Sequence, residues 1–196
     1  MMKFKWTSSN KFIIKFLLTL FIIGLVIGFY TYYNQSELIR YNIASELGSL
    51  DELLIGTRQN NFIRHIVLFS VGMLASLTVV GLPIIIFYFF YEAVSIGFLL
   101  ASLFSFNGFE GLFFGFIFTI VNKIFIYVAL TYLIIFSIHY AKKVIKSIRN
   151  KDYKIYEYVT HQIIKNLFVI FSILISDLFI FFLGNFIIIY FLFLIV

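Results

Sequence analysis

Three ionisable side chains lie inside stretches of sequence that are otherwise strongly apolar: Glu92, Lys123 and Asp177. Carboxylates and an ammonium group in such surroundings can form an ion pair or pass a proton between them. A lone charge at the centre of a bilayer costs at least about 2.5 kcal/mol, so these side chains are expected to pair inside the protein. The sequence therefore predicts that Lys123 pairs with Glu92, with Asp177 or with both, and that a carboxylate left over stays protonated.

The three charges share one predicted depth. Each lies nine to eleven residues from the nearer predicted end of its span, which at about 1.5 Å per residue is roughly 13–17 Å deep, close to the midplane. Two interpretations are open, an ion or proton path and a buried polar clamp that fixes the register of the helices. The single basic partner, and the lack of repeat symmetry or of a second chain of polar residues, favour the clamp.

Composition defines the class of protein that must position these charges. Of 196 residues, 62% are hydrophobic and 12% are charged, whereas a soluble domain has roughly half and a quarter. A soluble chain of this length still exposes roughly 30% of its unfolded surface, too much to hide so many apolar side chains. The sequence therefore predicts an all-α integral membrane protein.

The sequence contains few signals of catalysis, cofactor binding or metal binding. The chain has no cysteine, which excludes disulfides and thiolate metal sites. Motifs of zinc proteases, serine hydrolases and nucleotide-binding loops are missing, and the three histidines are too dispersed in sequence to suggest a metal site. We expect no catalytic residues, no cofactor, no metal and no nucleic-acid partner.

The apolar stretches predict five spans. The first, 12–33, follows a basic start without a cleavage site and is read as uncleaved. The stretch 62–104 would be about 64 Å long as one helix, twice a membrane core. Gly81 and Pro83 supply the turn that divides it into spans 62–80 and 83–104. The alternative is a kinked or re-entrant helix, since membrane helices tolerate proline.

The rest of the chain is organised around these spans. An Asn-Gly pair within 105–111 predicts a turn before span four, 112–140. A basic segment, 141–165, leads to the last span, 166–196. The polar segment 34–61 shows roughly helical intervals of leucine and is interpreted as amphipathic helix on a membrane surface, or alternatively as a solvated connector.

Lysine and arginine positions predict the orientation. Only Arg40, Arg58 and Arg64 lie on the side assigned to the exterior. The two parts assigned to the cytoplasm hold eleven basic residues: Lys3, Lys5, Lys11, Lys15, Lys142, Lys143, Lys146, Arg149, Lys151, Lys154 and Lys165. Positive-inside logic then gives a multi-pass bundle with a cytoplasmic N-terminus and an extracytoplasmic C-terminus. The net charge of +6 is interpreted mainly as this orientation signal plus attraction to anionic lipid.

Small residues give a weaker signal. Gly24 and Gly28 have GxxxG spacing in the first span, and Gly108, Gly111 and Gly115 lie at intervals of three and four. Such spacing lets helix backbones approach closely, either between copies of the chain as a homo-oligomer or within one chain.

The stretch 78–146 resembles the middle of the stage II sporulation protein M family. The resemblance is carried by Gly-Leu-Pro at 81–83, Gly-Phe at 97–98, the turn "NGFEGLFFGF", the polar pair at 122–123 and the lysine-rich exit. Family members often have prolines around that polar pair, whereas this chain has Val121 and Val128.

This resemblance implies a non-enzymatic scaffold of the bacterial cytoplasmic membrane. Such a protein anchors two peptidoglycan hydrolases that act outside the membrane in septal wall thinning and engulfment during endospore formation. We expect the partner surface in 34–61 and 105–111. The alternative function is a small transporter or lipid-handling protein that uses the midplane charges.

Overall fold

The computed structural model describes residues 8–47, 67, 69–78, 80–151 and 155–179, and all of its regular structure there is helical. The helices are α1 (Ser8–Tyr33), α2 (Glu37–Leu47), α3 (residues 69–76), α4 (Gly81–Arg149) and α5 (Ile155–Phe179). The predicted all-α class is thus confirmed for these residues. Within the described ranges, three helical segments are long and apolar enough to cross a membrane: Asn10–Tyr33, Gly81–Ile117 and Lys123–Arg149.

Helix α1 buries one stripe of its surface. Ile13, Leu17, Gly24, Gly28 and Tyr32 are buried, and their spacing of four and seven residues brings them to one face of a helix. The apolar residues between them are exposed, as expected for side chains that meet lipid: Phe12, Leu18, Ile22, Val26 and Tyr30. The first predicted span is therefore a helix with one face against the protein and an exposed, largely apolar remainder.

Helix α4 is a hairpin of two arms. As one straight helix of 69 residues it would be about 104 Å long, but Asn107 and Gly108 leave the helical conformation. Gly108 has φ of 61° and ψ of −137°, a region that is essentially restricted to glycine. We call residues 81–106 the first arm and residues 109–149 the second arm.

The reversal is narrower than the turn that the sequence predicts. That turn spans 105–111, whereas the structure keeps helix on both sides of Asn107 and Gly108. Two residues suffice because the glycine supplies a dihedral combination that no helix contains. Phe104 and Phe109 then meet across the break with ring centroids 5.5 Å apart.

The junction before α4 depends on Thr78 and Gly81. The Thr78 hydroxyl donates to the Ala75 carbonyl at 3.0 Å and accepts from the Gly81 N–H at 2.9 Å. A Cβ on Gly81 would lie 2.0 Å from the Ala75 oxygen, so only glycine fits. Pro83 is the third residue of α4, where a backbone N–H has no helical partner to lose.

Helix α4 is the centre of the described fold, since α1, α2 and α5 each pack against it. The hydrophobic core combines both of its arms with α1, α3 and α5, and its members include Leu17, Phe69, Ile85, Leu133 and Val169. Of the predicted second span the structure describes residue 67 and most of 69–80, and of the last span only 166–179. Residues 48–66 and 180–196, which hold half of the predicted amphipathic segment and the end of the fifth span, lie outside the described residues.

Candidate functional site

The structure brings Glu92 and Lys123 together across the α4 hairpin. Lys123 Nζ donates to Glu92 Oε2 at 2.8 Å. The Tyr88 hydroxyl, one helical turn earlier, donates to Glu92 Oε1 at 2.7 Å. Glu92 is only 1% exposed, so a buried carboxylate has a hydrogen-bond donor on each oxygen. This satisfies the requirement that a buried charge be both paired and hydrogen-bonded.

Asp177, the third sequence-predicted charge, lies on α5. Its side chain lies outside the described residues, so its pairing with Lys123 stays a prediction. Gly81 and Pro83 are located at the start of α4, as described above.

Aromatic side chains about one helical turn from each charge contact one another. Tyr127 contacts Phe21 and Phe89, with ring centroids 5.0 and 5.3 Å apart in edge-to-face geometry. Phe89 precedes Glu92 by almost one helical turn, and Tyr127 follows Lys123 by one turn. A low-dielectric environment strengthens the attraction between the charges, but desolvation offsets much of that gain. Such a pair therefore contributes mainly by penalising any other register of the two arms.

A long apolar groove lies beside the pair, between α1 and the α4 hairpin. Its volume is about 570 Å³, and the Lys123 side chain, which is 26% exposed, reaches its wall. The polar side chains of the second arm that line it include Thr119, Lys123, Tyr127 and Thr131. The hydroxyls of Thr119 and Tyr127 are buried and have no hydrogen-bond partner among the described residues.

Sequence reasoning missed these hydroxyls, although their signal is visible. Thr119, Lys123, Tyr127 and Thr131 recur every four residues, which puts them on one helix face. Hydroxyls on membrane helices are easily dismissed, because many of them bond to the preceding turn of their own helix. Thr19 and Thr131 do so here, whereas Thr119 and Tyr127 do not.

A second polar cluster joins α3 to α5. Asn166 Nδ2 donates to Ser76 Oγ, and Gln162 Nε2 donates to Asn166 Oδ1 at 3.2 Å. All three side chains are buried. This cluster was also missed from sequence, because Ser76 and Asn166 are 90 residues apart.

Glycines let α1 lie directly on the first arm. A Cβ on Gly28 would lie 2.2 Å from the Val94 oxygen, and one on Gly97 would lie 2.2 Å from the Leu25 oxygen. The GxxxG pair of the first span therefore packs within the chain. At the other end of α1, Asn10 Oδ1 lies 2.7 Å from His139 Nε2 on the second arm.

Comparison with known proteins found no significant match to a protein-family model, a curated protein or a solved structure.

Proposed function

We propose that this chain is a non-enzymatic membrane scaffold with the role that its resemblance to the stage II sporulation protein M family implies. In this proposal it is a multi-pass protein of the bacterial cytoplasmic membrane with five spans. It recruits extracytoplasmic peptidoglycan hydrolases for septal wall thinning and engulfment during endospore formation. The observation that carries the proposal is the closed Glu92–Lys123 pair.

The pair supports a scaffold because its charges are used within the fold. Glu92 has a donor on each carboxylate oxygen and is buried between the arms. A proton or ion carrier needs a group that can exchange its partner with water or substrate, and such groups face a water-filled cavity. The cavity beside Lys123 is lined mainly by apolar side chains. This arrangement favours a structural clamp over a path.

Contacts between the helices support the proposed orientation. Asn10 at the start of α1 meets His139 near the end of the second arm. Tyr32 near the end of α1 meets Phe98, with ring centroids 5.4 Å apart. Hence α1 begins beside the basic end of α4 and ends toward the hairpin tip. Basic residues gather at the first of these ends, as the positive-inside rule requires of a cytoplasmic face.

The proposed partner surface includes the hairpin tip. Phe109 is 82% exposed there, beside Glu110. Exposed aromatic residues at the centre of a contact carry much of the binding energy in protein interfaces. A scaffold needs no chemistry of its own, because holding two partners on one support raises their effective concentration.

Affinity capture of the tagged full chain from native membranes in mild detergent tests the scaffold. We expect cell-wall hydrolases in the eluate, and their loss with Phe109→Ser. Tyr156→Ser is the matched control, because Tyr156 is an 81% exposed aromatic residue at the opposite, basic end. Recovery of no cell-wall enzyme, together with a bound small molecule, would contradict the scaffold.

The groove favours a second candidate function, a lipid-handling protein. An apolar cavity with a few convergent polar groups is the usual form of a small-molecule site, and Thr119, Lys123 and Tyr127 are those groups. Tyr127→Phe removes a hydroxyl without a partner among the described residues, so it should leave stability unchanged. If the groove holds a lipid through that hydroxyl, mass spectrometry of the purified variant will show less co-purified lipid. Equal lipid content in Tyr127→Phe and the parent protein would count against this function.

A further inference from the structure

A basic pocket of about 240 Å³ lies between the end of α4 and the start of α5. Among the described residues its lining includes two lysines and two histidines, Lys143, Lys165, His139 and His161, and one acidic residue, Glu157. The pocket has no role in the proposed scaffold function and does not depend on it.

The two lysines are held in place without being neutralised. Lys143 Nζ lies 5.6 Å from the centroid of the Tyr158 ring, and Lys165 Nζ lies 5.2 Å from that of the Phe136 ring. Such cation–π contacts orient an ammonium group but bring no negative charge. Within the described part of the chain neither lysine forms a salt bridge. The pocket therefore holds a surplus of positive charge that an anion can balance.

The electrostatic surroundings of Lys165 agree with this surplus. Burial, and then the charge of Lys143, lower the pKa of Lys165 below its usual 10.5. An ammonium group with an anionic partner would have its pKa raised instead. The other titratable groups that line the pocket among the described residues are His139, Tyr140, Lys143, Glu157, Tyr158 and His161, and only Glu157 among them is a carboxylate.

We propose that this pocket binds the phosphate headgroup of an anionic phospholipid. Lysine is a common phosphate ligand, and basic pockets between helices at the cytoplasmic boundary bind such headgroups. The volume is below the roughly 300–1,000 Å³ of pockets that enclose a whole drug-sized ligand, which suits a headgroup alone.

Apolar surface beside the pocket favours a lipid over a free phosphate ion. Phe136 and Tyr140 contribute to its wall. On α5 the exposed side chains that continue from it are apolar: Ile164, Leu167, Phe168 and Phe171. An acyl chain can follow this face into the membrane while the phosphate stays with the lysines.

Lipid retention by the purified full chain tests the site. The chain is reconstituted into phosphatidylcholine vesicles with increasing phosphatidylglycerol, re-extracted in mild detergent and examined by native mass spectrometry. We expect Lys143→Gln/Lys165→Gln to lower phosphatidylglycerol retention about tenfold more than Lys142→Gln/Lys146→Gln. The second pair is the matched control, since its lysines are exposed on α4, lie outside the pocket and change the net charge equally. Equal losses would overturn the proposal, because they would mean diffuse attraction to the whole basic surface.

A variant that is expected to bind the lipid more tightly provides a test whose result misfolding cannot explain. Glu157→Gln removes the one acidic side chain that lines the pocket among the described residues, and it should raise phosphatidylglycerol retention severalfold. Glu110→Gln at the hairpin tip is its control and should change nothing. Unchanged retention in Glu157→Gln would overturn the site. Stabilisation of the detergent-solubilised chain by inorganic phosphate to the same extent as by phosphatidylglycerol would overturn the lipid as its ligand.

Discussion

Glu92 and Lys123 stand fifteen residues on either side of the break at Asn107 and Gly108, and their side chains meet at 2.8 Å. This symmetry follows from the hairpin, because positions equally far from its tip lie at the same level in two antiparallel arms of equal rise. A shift of either arm by one residue would rotate one side chain by about 100° and separate the charges. The ion pair therefore forms only when the two arms are aligned in this register.

The first prediction concerns the coupling of these two residues. Glu92→Gln or Lys123→Met alone leaves one charge without its partner, and each should cost up to about 3–5 kcal/mol in the free energy of unfolding. The double variant removes both charges and should cost at least about 1 kcal/mol less than the sum of the two. Unfolding in detergent titrations, with Lys142→Met as an exposed control, measures this. Additive losses would show that the two side chains do not act as a pair.

A second prediction addresses the hairpin tip. Gly108→Ala should destabilise the chain by about 1–3 kcal/mol, because alanine is strained at the dihedral angles of Gly108. Space is not the reason, since a Cβ there would meet nothing within 4 Å. Gly72→Ala on α3 is the control, because its Cβ would only touch Leu133 Cδ2 at 3.4 Å. Thermal unfolding compares the loss of stability in the two variants, and a larger loss in Gly108→Ala measures the backbone strain. Equal losses would show that alanine is not strained at position 108.

The third prediction tests the polar cluster between α3 and α5. Asn166→Ala deprives Ser76 and Gln162 of a buried partner and should cost about 1–3 kcal/mol. Thr160→Ala on the same helix should stay within about 0.5 kcal/mol, because Thr160 is exposed and bonds only to its own helix. Unfolding titrations in detergent measure the free energy of unfolding of both variants. Similar small effects would mean that water replaces the lost bonds.

The fourth prediction is a pH dependence from Lys165. Its pKa is lower in the folded chain than the usual 10.5, mainly through burial and also through Lys143. Between the two pKa values the unfolded chain binds more protons, so stability should rise as pH increases across that window. Lys165→Met should remove this rise, and Lys146→Met should keep it. Delipidated protein is required, because a bound phosphate would raise the pKa. A parent protein whose stability does not rise across that window would contradict the prediction.

The charged residues whose transfer into a membrane costs the most free energy could be identified from the sequence. Lys123 was the only lysine or arginine predicted to lie near the midplane, so its pairing could be inferred from the penalty for a lone charge alone. Gly81 and Pro83 were likewise visible, because each is defined by its own backbone chemistry. These inferences needed no knowledge of which helices touch.

Other features depend on contacts that a single sequence does not encode locally. Ser76 and Asn166 meet only because α3 and α5 lie against each other. Thr119 and Tyr127 look like ordinary side chains of a membrane helix until the packing of α1 shows that no described partner reaches them. The basic segment was interpreted as an orientation signal, and its pocket exists only where two helices converge.

The equal spacing of Glu92 and Lys123 from the tip also bears on how the chain enters a membrane. Either arm alone would carry an uncompensated charge into hydrocarbon, at a cost of at least about 2.5 kcal/mol. A hairpin that inserts tip first brings both charges to each depth together, already neutralised by one another. The two arms of α4 are therefore better suited to cross as a single unit than one after the other.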